Sequence, residues 1–263
     1  MGRLSSFIRL SVGFVVLAVI SIITLIILPF LMPFRIARIK VCNVYGKVAG
    51  RAIVALAGVT PNVSNKEGLN GTMPAIYVMN HQSSLDAFLG VWLCPVGACG
   101  VFKKEIVRIP FYGWIAYLSG HLLIDRGNKG KAVEALRDIA VLMKKHGLGI
   151  WIMPEGTRSR DGALLPFKKG FVHLAVATGL PVVPVVIHGA HRNWEAKTFQ
   201  FHPMVLDVDV LPPISTLGWA EENAAQHADF VRGIFLKQMS AHDPSGSAKN
   251  TATVPALEQN AAG

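Results

Sequence analysis

The chain has 263 residues, which suits one domain with a sizeable core plus appendages. Hydrophobic residues make up 51% and charged residues only 16%, a balance too apolar for an ordinary soluble protein. The net charge of +10, with no nucleic-acid-binding module in the sequence, points to anionic lipid headgroups or phosphorylated substrates rather than nucleic acid.

The apolar excess has a location. From Leu10 to Phe34 there are 25 residues without a charge. At about 1.5 Å per helical residue this is long enough to cross a hydrocarbon core of about 30 Å. Arg3 and Arg9 precede the run, while Arg35, Arg38, Lys40, Lys47 and Arg51 follow it. The positive excess after the run predicts that the bulk of the chain lies in the cytoplasm, against the inner or plasma membrane if the source is bacterial. Pro33-Phe34-Arg35 is not a small-residue cleavage site, so the run reads as an uncleaved anchor. Pro29 and Pro33 leave open a helix that breaks and returns along the interface instead of spanning.

Residues 1–40 are therefore assigned to an N-terminal membrane anchor and 41–73 to a connector. The second half of that connector, Pro61 to Gly68, reads as turn-like and exposed. From Pro74 onward, strand-like runs alternate with helix-like segments. The predicted strands are Ala75–Met79, Gly100–Lys103, Leu122–Ile124, Leu148–Met153, Val182–Ile187 and a sixth over Val205–Leu211. Helices are predicted over Ile109–Leu118, Lys129–His146, Lys168–Thr178 and Glu221–Met239. The second of these carries a single apolar stripe, and Gly147 follows it as a stop. This alternation predicts an α/β domain over 74–242, with helices on both faces of a largely parallel sheet, and a disordered tail over 243–263.

In such a sheet, ligands collect at the carboxyl ends of strands. Three chemically suggestive stretches each follow a strand directly. The first is Asn80-His81-Gln82-Ser83-Ser84-Leu85-Asp86. On a continuous helix, His81 and Asp86 point about 140° apart, at about 100° per residue, and cannot pair. With His81 in the loop after the strand and Ser83 or Ser84 starting a helix, the carboxylate reaches back to the imidazole. The result is a base with an orienting carboxylate and no obvious protein nucleophile.

The second stretch ends in Ile124-Asp125-Arg126, and the third is Pro154-Glu155-Gly156-Thr157-Arg158-Ser159. A glycine after a buried strand admits close ligand approach, and an arginine beside it offers a planar donor fork for phosphate. From Val101 to Val172, thirteen Lys and Arg face six Asp and Glu, which gives this part of the chain a basic character. Cys42, Cys94 and Cys99 are odd in number and lack metal-ligand spacing, which fits reduced thiols packed in a cytoplasmic domain. His121, His188 and His191 also lack metal-ligand spacing, so no metal site is expected.

The order His-x4-Asp, Ile-Asp-Arg, Glu-Gly-Thr-Arg and Val-Pro, over about Pro74 to His188, resembles the glycerolipid acyltransferase family, and most closely its 1-acylglycerol-3-phosphate acyltransferases. One departure is Leu123, where an aromatic often stands before Ile-Asp-Arg. The resemblance implies an enzyme of phospholipid biosynthesis with no cofactor. Its acyl donor is a coenzyme A or acyl-carrier-protein thioester, and its acceptor is the free hydroxyl of a membrane lysolipid. Lysophosphatidate is the expected acceptor, with lyso-ornithine lipid or a related lysolipid as the alternative. His81 and Asp86 are then the catalytic pair. Arg158, with Gly156 and Thr157 in its loop, is expected to take the acceptor phosphate. Glu155 either binds a glycerol hydroxyl or orients Arg158, while Arg126, Lys168 and Lys169 hold the acceptor phosphate or the donor's pantetheine phosphate. Two readings from other classes are a membrane-anchored hydrolase, for which no Gly-x-Ser-x-Gly elbow is present, and a non-catalytic anionic-lipid binder.

Overall fold

The computed structural model describes residues 3–125, 127, 129–159, 161–194 and 201–242. The chain begins with a 25-residue helix, α1 (Arg3–Ile27), continued by a 3₁₀ turn over Leu28–Leu31. By length and composition, Phe7–Leu31 is apolar enough to cross a membrane. After Pro33 the chain reverses into α2 (Arg35–Leu56). The two helices form an antiparallel hairpin. Arg9 donates to the Leu56 carbonyl at one end of it, and Ser21 meets the Tyr45 hydroxyl at 2.8 Å further along.

Among the described residues, seven strands then form one sheet: β1 (Val59–Ser64), β2 (Ile76–Met79), β3 (Ala98–Lys103), β4 (Leu122–Ile124), β5 (Gly149–Ile152), β6 (Val182–Ile187) and β7 (Met204–Val210). Their order is β1-β7-β6-β2-β5-β3-β4. All neighbouring pairs are parallel except β6 with β7. Between them run α3 (Glu67–Gly71), α4 (Leu85–Leu93), α5 (Tyr112–Leu118), α6 (Lys129–His146) and α7 (Gly170–Thr178), and α8 (Ala224–His242) closes the domain. The predicted bounds of β4, β6 and α6 match the observed ones, and the other predicted elements are shifted by a few residues at their ends.

Residues of β2, β5 and β6 are buried throughout because the sheet is covered on both sides. Ile76, Val78, Ile150, Ile152, Val182 and Val186 face α6, α7 and α8. Tyr77, Met79, Trp151, Val183 and Val185 face the side carrying α4, against which α2 packs. Alternation along each strand divides these residues between two cores.

The stretch 41–73 is not the connector expected of it. Its first half belongs to α2, whose buried stripe contains Asn43, Gly46 and Gly50 among its apolar residues. Small and polar residues on the inner face hide the helical pattern, since glycine is a poor helix former. Pro61 to Ser64, expected to be turn-like, lies in β1, an edge strand that among the described residues is hydrogen-bonded to β7 alone. A proline is tolerated there because an edge strand leaves one side of its ladder unpaired. Asn62 and Ser64 donate to Asp207 and Asp209 of β7, so this strand is held by polar pairs that an apolar-run search passes over. The tail 243–263 lies outside the described residues.

The glycines of α2 fix how closely it approaches α4. A Cβ placed on Gly50 would stand 2.3 Å from the Phe88 carbonyl oxygen and 2.9 Å from the Trp92 Cβ, whereas one on Gly71 meets nothing within 4 Å. Gly50→Ala is therefore expected to destabilise the protein by about 1–3 kcal/mol, the usual cost of overpacking. Gly71→Ala serves as the neutral control. Thermal melting of the two variants checks this, and equal melting temperatures would remove the close contact as a constraint.

Candidate active site

Strand β2 delivers Asn80 and His81 to the carboxyl edge of the sheet, and α4 begins at Leu85. The fold-back expected between His81 and Asp86 is present. His81 Nδ1 lies 3.0 Å from Asp86 Oδ2. The same carboxylate oxygen accepts the backbone N–H groups of Gln82 and Ser83, at 2.5 and 2.6 Å. Asp86 is fully buried, and these donors replace the water lost by Oδ2, while Oδ1 has no hydrogen-bond partner. With a carboxylate at Nδ1, that nitrogen carries the proton and Nε2 is left as the basic nitrogen. The His81 side chain keeps 18% of its exposure, so the imidazole is reachable from outside.

Asn80 was not singled out by the sequence, yet it joins the ends of two strands. Its side chain donates to the Ile187 carbonyl at 2.9 Å and accepts the Ile187 N–H at 2.7 Å. The only sequence signal for it is a polar residue directly between a buried strand and His81.

The Glu155 loop follows β5, the parallel neighbour of β2, and the two loops are stitched together. Glu155 Oε1 accepts the His81 N–H at 2.6 Å, Oε2 accepts the Leu165 N–H at 3.0 Å, and the Ser159 N–H donates to the His81 carbonyl at 2.9 Å. Glu155 is 3% exposed. Burial pushes its carboxyl up to about 7, against the two backbone hydrogen bonds that favour the ionised form. Both oxygens of Glu155 accept a backbone donor, so the side chain positions the His81 and Leu165 backbones, and each oxygen keeps further acceptor capacity. Arg232 of α8 supports the same loop through the carbonyls of Leu164 and Leu165, and no local sequence signal marks it.

Arg158 is exposed, and its guanidinium donates to Ser84 Oγ at the start of α4. It is thereby held at the His81 edge. Gly156 has φ +68°, and a Cβ built there would fall 2.7 Å from Lys168 Nζ, so the lysine lies directly over the glycine. Thr157 is exposed in this loop, and Lys169 is the exposed N-cap residue of α7. The structure thus gathers His81, Asp86, Glu155, Gly156, Thr157, Arg158 and Lys168 around adjacent strand ends.

The Ile-Asp-Arg stretch ends on the same edge but stands apart. Strand β4 is three positions from β2, which at about 4.8 Å per strand is about 14 Å across the sheet. Asp125 pairs there with Lys104 at 2.6 Å, and Arg126 lies outside the described residues. His121 accepts the Gly100 N–H through Nδ1 at 3.2 Å. Burial and the nearby Arg35 push its pKa down to about 4, which keeps the ring in the neutral form that acceptance requires. Cys42, Cys94 and Cys99 are all buried as thiols.

A model of the acyltransferase family matches residues 60–188. A 1-acyl-sn-glycerol-3-phosphate acyltransferase of Limnanthes douglasii is 35% identical over 240 residues, covering 91% of this chain and 85% of the relative. The protein of the same name from Escherichia coli (strain K12) is 34% identical over 169 residues, covering 64% of this chain and 68% of that protein. The chain belongs to the acyltransferase family. The crystal structure of the 1-acyl-sn-glycerophosphate (LPA) acyltransferase PlsC from Thermotoga maritima has the same fold, with a TM-score of 0.71 at 26% identity. It covers 89% of this acyltransferase and 95% of that chain.

Glu155→Gln in this acyltransferase leaves one of two backbone donors without a carboxylate partner. A carboxyl raised from 4.5 to about 7 contributes stability that is fully present below pH 4.5 and lost as pH rises through about 7. Between pH 5 and 8 the wild type is therefore expected to lose melting temperature relative to Glu155→Gln. A gap that moves the other way with pH would contradict a raised carboxyl at this position.

Proposed function

We propose that this acyltransferase moves a fatty acyl group from a coenzyme A or acyl-carrier-protein thioester to the free hydroxyl of 1-acylglycerol-3-phosphate, producing phosphatidate. The observation that carries the chemistry is the His81–Asp86 pair, with a buried carboxylate on Nδ1 and a reachable ring. An alcohol is a poor nucleophile near neutral pH. His81 Nε2 takes the acceptor's hydroxyl proton as that oxygen bonds to the thioester carbonyl carbon. The tetrahedral intermediate collapses with cleavage of the carbon–sulfur bond, and the imidazolium returns the proton to the departing thiolate. Ester and free thiol are the products, and no acyl-enzyme intervenes. Asp86 holds the ring and stabilises the imidazolium.

The acceptor assignment rests on Arg158 and Lys168 beside the pair, a combination suited to a phosphate monoester. Residues Arg126 and Lys169 remain candidates for either phosphate in the reaction. The acceptor is dissolved in a bilayer, so the apolar Phe7–Leu31 helix serves as the anchor, with the catalytic domain on the cytoplasmic side.

Purified protein given labelled acyl donor is expected to acylate lysophosphatidate in preference to lyso-ornithine lipid. Free fatty acid release without ester formation would instead identify a hydrolase, and lipid binding without turnover a non-catalytic protein. His81→Ala is expected to lower turnover by about 10²–10⁴-fold, as loss of a general base does. Arg158→Ala is expected mainly to raise the acceptor KM. An unchanged KM in that variant rules out its phosphate contact.

A further inference from the structure

Helix α5 enters from the Lys104–Arg108 turn, which follows β3 at the same sheet edge as His81. Its far end is tied to α2, where Arg38 donates to the Leu118 carbonyl at 2.6 Å and Arg35 to the Gly120 carbonyl at 2.9 Å. Two arginines that the sequence assigned to membrane-flanking charge thus satisfy carbonyls at and just beyond the end of this helix. The inner side of α5 places Tyr112 and Ile115 against Leu17 of α1 and Tyr45 of α2. Its outer side is apolar as well. Trp114 and Tyr117, three residues apart and so on one helical face, are 50% and 68% exposed, with Ile109 49% exposed just before them.

This face continues onto α1. The Phe111 ring lies 5.4 Å from Trp114 and, on its other side, 6.1 Å edge-on to Phe14 of α1, itself an exposed side chain. Trp and Tyr settle at the level where hydrocarbon gives way to headgroups, because each has an apolar body and one polar atom. Arg108, exposed next to Ile109, adds a cation of the kind that anionic lipid phosphates attract.

We propose that the Ile109–Tyr117 face of α5 is a second membrane contact, seated at the headgroup level of an anionic bilayer beside α1, and that it fixes the angle at which the His81 edge meets the lipid. The inference rests on α1 being the anchor. A single anchoring helix leaves the domain packed on it free to tilt against the bilayer, and a second contact offset from that helix removes this freedom. The link to the site is short. Phe88 of α4, two residues after Asp86, packs its ring 5.9 Å from Tyr112 of α5.

The native cysteines are buried, so an introduced one can be labelled selectively. Full-length Tyr117→Cys carrying an environment-sensitive fluorophore is placed in vesicles of phosphatidylcholine and phosphatidylglycerol. Val15→Cys on the outer face of α1 and Leu217→Cys, 94% exposed three residues after Ile214, which bridges to Val182 at the amino end of β6, serve as references. The expected result is blue-shifted emission, protected from acrylamide, at positions 117 and 15, with water-like emission at 217. A water-like label at 117 with a lipid-buried one at 15 overturns the second contact and leaves the anchor standing. Water-like labels at both overturn the anchor too. In turnover, the double variant Trp114→Glu/Tyr117→Glu is expected to raise the apparent KM for lysolipid in vesicles at least threefold, with kinetics unchanged on acceptor dispersed in detergent. Unchanged kinetics in vesicles would also overturn the proposal.

Discussion

One carboxylate oxygen sets the geometry of this protein's chemistry. Asp86 Oδ2, itself fully buried, gathers the His81 imidazole and two consecutive backbone N–H groups. Burying a charge is costly unless hydrogen bonds replace its hydration; three donors do so at Oδ2, while Oδ1 is buried without a partner. Its place in the first turn of α4 adds the favourable end of the helix dipole. The arrangement fixes the loop and the imidazole together, so a turn of His81 away from it removes one of the three donors on the carboxylate.

Glu155 carries the same logic to the next strand. It ties the His81 backbone to the loop that carries Arg158, so His81 and the phosphate candidates are located relative to one another by a buried acid. Asn80 does the equivalent on the β6 side. The site is therefore braced on two flanks by polar side chains bonded to backbone, each held by groups that lose a partner if it shifts. Exposed pairs such as Lys104 with Asp125 stand outside this brace, and pairs of that kind contribute little to stability.

The helical layers connect this edge to the apolar N-terminus. Helix α1 packs on α2, and α2 packs on α4 through a glycine face that brings their backbones together. Helix α4 carries Asp86, so the apolar hairpin and this buried carboxylate belong to one stack.

The strand pattern, the three strand-end motifs and the apolar N-terminal run are legible in the amino-acid order because each depends on local composition and period. That is why α6, β4 and β6 are found at their predicted bounds. The order of motifs was also enough to point to the acyltransferase family. Other features depend on neighbours far along the chain. Helix α2 hides its stripe behind glycines whose value appears only against α4. Strand β1 is stabilised by β7, some 145 residues on, through Asn62 and Ser64. Strand order placed Asp125 three strands from His81, although both stretches end on the same edge. The part of Glu155 was likewise decided by tertiary structure, since a carboxylate's role follows from which donors reach it. Sequence determined which chemical groups the protein has and which strand ends bear them. Only the packed sheet decided which of those groups meet, because adjacency between strands is set by long-range burial and hydrogen bonding that no local window contains.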